Sequence, residues 1–135
     1  MSRLRSILGL IAGFMLVASS AAHSLLGWPQ LRAALRQVGA PDDLVLGLAL
    51  GWHFAGGAML TFGCIVLWLY VGTLRRRAAS YQPAFLIALL YLVYGAWAYA
   101  ASGRNPFFFV FIVPGVLLAA ASWPFRQAHA APMAA

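Results

Sequence analysis

The amino-acid sequence predicts an all-α protein: an antiparallel four-helix transmembrane bundle with both termini cytoplasmic and a short interfacial helix in the first loop. Three observations carry this expectation. The 135-residue chain is 64% hydrophobic and only 8% charged, where a soluble chain carries roughly a quarter charged residues. Its mean hydropathy is +0.86. Four apolar stretches reach or approach the about 20 residues that a helix needs to cross a hydrocarbon core of about 30 Å. None alternates polar and apolar residues as a membrane barrel strand does, and helices satisfy their own backbone groups in lipid. So little charge could not cover a water-soluble core. The composition argues against a cytosolic enzyme and a nucleic-acid binder, and a single cysteine argues against a secreted disulfide scaffold.

The spans are expected at residues 6–27, 44–72, 84–101 and 106–123, within one membrane domain covering 1–126; residues 127–135 read as a disordered tail. The first span doubles as signal-peptide grammar, because a basic start and an apolar run precede the small triplet Ser20-Ala21-Ala22. Apolar character continues through Leu25, Leu26 and Trp28, which favours a retained membrane helix. Residues 29–39 then read as an amphipathic helix, with Leu31, Leu35 and Val38 at helical spacing between Pro29 and Gly39. Its pattern suits lying flat among headgroups.

Pro41-Asp42-Asp43 precedes the second span, offering a capping carboxylate and negative charge at the positive end of the helix dipole. Ser102-Gly103 closes the third span, and Asn105-Pro106 opens the fourth with a capping side chain and a proline. Pro114-Gly115 falls near the middle of the fourth span, where proline removes a hydrogen bond and bends a helix.

Arginine placement sets the expected topology. Arg3, Arg5, Arg75, Arg76, Arg77 and Arg126 fall on one side of the four-span scheme, and Arg32, Arg36 and Arg104 on the other. The excess belongs in the cytoplasm. The net charge of +7 is then a topology signal and an attraction to anionic headgroups, with no nucleic-acid partner implied. Arginine without lysine, beside abundant alanine and glycine, fits a GC-rich bacterial genome and hence a multi-pass protein of the inner membrane.

Small residues line two spans. Gly47, Gly51 and Ala55 recur every four residues on the second, with Gly57 nearby, and Gly9, Ala12, Gly13 and Leu16 mark the first. Such faces allow close helix approach, within the bundle or against another subunit.

Chemistry-bearing groups are few. No acidic residue lies inside a span, and no nucleophile–base set, paired cysteine or phosphate loop is present. Two intramembrane histidines remain, and ionisable residues in that position are functional candidates. The second span is about 43 Å long, about 13 Å more than the hydrocarbon, which brings His53 to the depth of His23 in the outer leaflet. Ser20, Tyr94 and Asn105 are expected at that level. Cys64 is expected as a buried, inert thiol.

Three readings of the histidines follow. Each is neutral and hydrogen-bonds a group of another helix; or the pair holds a haem b or a metal, with Met59 as a third ligand; or they line a pocket for a lipid or quinone. The first functional expectation is a non-enzymatic accessory or structural subunit that packs through its small-residue faces, with itself or in a larger membrane complex. The alternative is a ligand-binding or transport protein built around His23 and His53.

Overall fold

The computed structural model describes residues 3–75, 77 and 79–123. The expected tail at 127–135, together with Arg76 and Arg126, lies outside the described residues. Those described contain no strand and form, in order, α1 (Arg3–Ala22), a π-helical turn (His23–Gly27), α2 (Trp28–Gln37), α3 (Asp42–Leu74), α4 (Gln82–Ala101), a 3₁₀ turn (Pro106–Phe108) and α5 (Phe109–Ser122).

The first span and the first-loop helix are not separate. Gly27 and Trp28 both keep right-handed helical angles, so Arg3–Gln37 is one helical run of 35 residues. Pro29 was expected to start a new helix. Instead the existing helix passes it by opening the preceding turn. A proline ring presses on the carbonyl four residues back, here Leu25, and offers that carbonyl no N–H. Widening to i→i+5 bonding is one of the local adjustments that accommodate this, and the Trp28 N–H accordingly reaches the His23 carbonyl. The run ends where expected, at Gly39 with φ +69°, a conformation that glycine adopts without strain.

Two further ends are informative. Asn105 accepts a hydrogen bond from Phe107 N at 2.9 Å and so caps the 3₁₀ turn before α5, as its sequence position implied. Asp42 and Asp43 do not cap α3. Pro41 occupies the N-cap and no side chain bonds there, so the two carboxylates act only through the helix dipole.

Three helical runs are long and apolar enough to cross a membrane: Arg3–Gln37, Asp42–Leu74 and Gln82–Ala101. The last, Pro106–Ser122, is shorter. α1 is the central helix, with α3 on one side and α5 on the other; α4 packs along α5 and barely meets α3. Glycines set the close approaches. A Cβ built at Gly63 would stand 2.7 Å from Val17 Cγ2, and one at Gly13 2.9 Å from Leu67. Gly9 lies against the Tyr70 ring. In the second pair of helices a Cβ on Gly95 would meet Ile112 at 2.8 Å, and one on Gly115 would meet Leu92 at 3.0 Å. Pro114 is buried within α5 beside Gly115. The core gathers Leu16, Val66, Tyr70, Ile87, Tyr91 and Leu118.

This arrangement leaves one region outside the core. Along α1 and its continuation the last buried residue is Ser20, and along α3 the first is Gly56. Residues 21–37 and 42–55 form an antiparallel hairpin with no buried residue. The two helical runs that carry its arms, Arg3–Gln37 and Asp42–Leu74, are 35 and 33 residues long, about 50 Å each, some 20 Å beyond a hydrocarbon core of about 30 Å.

Candidate functional site

The sequence-selected histidines sit at the base of that hairpin, where the core ends. Ser20 marks the boundary. Its hydroxyl donates to the Gly56 carbonyl at 2.7 Å, a buried bond between α1 and α3. Gly56 leaves room for Ser24 and for the His23 ring, whose Cδ2 would lie 3.5 Å from a Cβ there.

One turn further out, His23 and Trp52 lock together. The imidazole stacks on the indole, centroids 4.2 Å apart and planes within 6°. Trp52 Nε1 donates to the His23 carbonyl at 2.8 Å, and His23 Nε2 stands 3.1 Å from the Trp52 carbonyl. A carbonyl only accepts, so Nε2 carries the proton. The His23 carbonyl thus receives two bonds, from Trp28 N–H along the π turn and from Trp52 across the hairpin. Gly27 supplies the remaining clearance, since a Cβ there would stand 2.9 Å from Trp52 Cζ2. The π turn therefore wraps the Trp52 side chain between His23 and Gly27.

His53 takes no part in that lock. It is exposed, and its Nδ1 donates to Ala49 O of its own helix at 2.8 Å; its ring meets Trp28 edge-on at 5.5 Å. Trp28 also lies 6.4 Å from Trp52. The histidines are thus placed on the two arms of one hairpin, each paired with a tryptophan of the opposite arm. Of the three readings, a hydrogen bond from histidine to another helix describes His23, whereas His53 bonds its own helix.

Tyr94 and Asn105 are elsewhere. α5 lies between α4 and α1, so α4 does not reach the hairpin. Tyr94 is exposed and packs against Phe111 at 5.0 Å and Trp97 at 5.8 Å, and Asn105 is occupied with its cap. The expected convergence assumed a closed ring of four helices, and the observed order breaks it. Cys64 is exposed rather than buried, because it points away from the α1-facing side of α3. Trp52 and Trp28 are the neighbours of the two histidines that sequence reasoning missed. Their signal was the juxtaposition Trp28-Pro29 and Trp52-His53 on the two arms.

His23 Nε2 is bonded to a carbonyl and the ring face is covered by indole, so Nδ1 is the ring nitrogen that keeps a lone pair. Among the described residues no group of three His, Cys, Asp or Glu side chains stands together, and Met59 packs against the core.

The outer glycine face of α3 is open. Gly47, Gly51 and Gly57 have open space where a Cβ would stand, and Ala55 is exposed. Among the described residues these make no close approach; that role belongs to Gly9, Gly13, Gly63, Gly95 and Gly115. Comparison with protein-family models, curated proteins and solved structures finds no match for this chain.

Proposed function

We propose that this is a non-enzymatic accessory subunit of a bacterial inner membrane, crossing it four times with both termini cytoplasmic, and that it associates through the outer half of α3. The observation that supports this reading most is the open face of Gly47, Gly51 and Ala55 on a hairpin that contributes nothing to the chain's own core. Small residues at four-residue spacing let a second helix backbone approach closely. The same sequence uses this device internally at Gly13 and Gly63.

The hairpin is held for such a role by the His23–Trp52 lock, which fixes the register of α3 against α1 at the point where the core gives out. His23 is a positioning residue on this reading. The test is crosslinking in native membranes and mass measurement in mild detergent. A homo-oligomer or a reproducible neighbour that is lost in Gly51→Leu supports the proposal. A monomer without crosslinked neighbours overturns it.

A further inference from the structure

We propose that the opposite end of the α1–α3 pair is a binding surface for the headgroup of an anionic phospholipid. The close approach of Gly9 to Tyr70 sets the start of α1 beside the end of α3, and so brings Arg3 and Arg5 to the same level as Arg75 and Arg77. The chain turns back there, with Arg77 N bonded to Gly72 O at 3.0 Å and Tyr81 held to Thr73 by a hydroxyl pair at 2.6 Å. Arg3, Arg75 and Arg77 are exposed. The chain has only two acidic residues, Asp42 and Asp43, and both open α3 at its far end. No acidic side chain of the chain serves this end.

What lies beneath the guanidinium groups selects the occupant. Ile7 and Phe14 share the helix face of Arg3 at i+4 and i+11, and are 50% and 68% exposed. Val71 and Trp68 lie at i−4 and i−7 from Arg75, and Trp68 is 71% exposed. A cation standing over an uncovered apolar stripe, twice on adjacent helices, matches an amphiphile with phosphate above and acyl chains below. A soluble anion would leave the stripes unused. Arginine suits phosphate oxygens because its planar fork binds them in pairs, and clustered arginines at the cytoplasmic end of a span attract anionic lipid.

This inference rests on the bilayer placement proposed above and not on the α3 contact face. The experiment is thermal unfolding of the detergent-purified chain with added phosphatidylglycerol, phosphatidylcholine or inorganic phosphate. Phosphatidylglycerol is expected to raise Tm more than phosphatidylcholine does, with inorganic phosphate inert. Arg3→Gln/Arg75→Gln/Arg77→Gln should lose at least half of that selective gain, and Arg32→Gln/Arg36→Gln should keep it. In the unmodified protein, about 1 M salt, where screening acts within about 3 Å, should diminish the selectivity, which keeps the test independent of how the variants fold. Equal gains from both lipids, a gain retained in the triple variant, or one reproduced by inorganic phosphate would overturn the lipid site alone. A chain that stays dispersed without detergent would overturn the bilayer placement beneath it.

Discussion

The His23 imidazole lies flat on the Trp52 indole, and each residue donates a side-chain hydrogen bond to the other's main-chain carbonyl. The pair closes the junction between a tightly packed half of the α1–α3 hairpin and a half without buried residues. Because both acceptors are carbonyls, the arrangement fixes the tautomers of His23 and His53. His23 carries its proton on Nε2 and His53 carries its own on Nδ1. Nitrogen-15 spectra of the purified protein at neutral pH, assigned with His23→Ala and His53→Ala, should show opposite tautomers for these two residues. A His23 signal with the proton on Nδ1 would contradict the lock.

Breaking the lock should cost modest stability. His23→Ala removes the stack and one hydrogen bond, and Trp52→Phe keeps a ring but loses the Nε1 donor. Each is expected to destabilise by about 1–2 kcal/mol, within the range for side-chain hydrogen bonds in membrane helices. The two should couple in a double-mutant cycle, and His53→Ala should cost less. Unfolding in mixed micelles measures all three; additive losses would contradict a reciprocal pair.

Pro29 should be the cause of the π turn. Restoring an N–H at this position with Pro29→Ala lets the helix return to i→i+4 bonding, which rotates α2 relative to α1 by about 100°, one residue's worth. Trp28 would then leave the edge of His53. A nuclear Overhauser contact between the two rings, expected in the native chain, should vanish in the variant; its persistence would give the π turn another origin.

Tyr91 has a buried hydroxyl without a hydrogen-bond partner among the described residues. An unmet buried hydroxyl costs about 1–3 kcal/mol. Tyr91→Phe is therefore expected to leave the fold intact and to raise Tm or leave it unchanged. A marked fall in Tm would show that the hydroxyl has a partner.

Much of this fold was legible because lipid imposes simple rules. Apolar length gave the long helices, Asn105-Pro106 gave a cap, and Gly9 and Gly13 gave a packing face. The α2 helix was legible too, but not its continuity with α1, because proline reads as a helix start when the turn before it cannot be seen to widen. The helix order was not legible. Nothing in the composition of α4 distinguishes packing against α5 alone from closing a ring, and so Tyr94 was placed beside histidines that it does not reach. The glycines of α3 posed the same difficulty. Gly51 and Gly63 are alike in sequence, and only the position where α1 stops burying residues separates an internal contact from an open face.

That difference supplies the most direct test of the account. Gly51→Leu and Gly63→Leu should be compared for fold stability and for association in native membranes. Gly63→Leu is expected to disrupt the chain itself, since its side chain would collide with Val17 and the Gly13 carbonyl. Gly51→Leu should unfold like the parent protein yet lose its crosslinked neighbour. If Gly51→Leu keeps that neighbour, or if it destabilises the isolated chain as Gly63→Leu does, the outer face of α3 is not the surface through which this protein assembles.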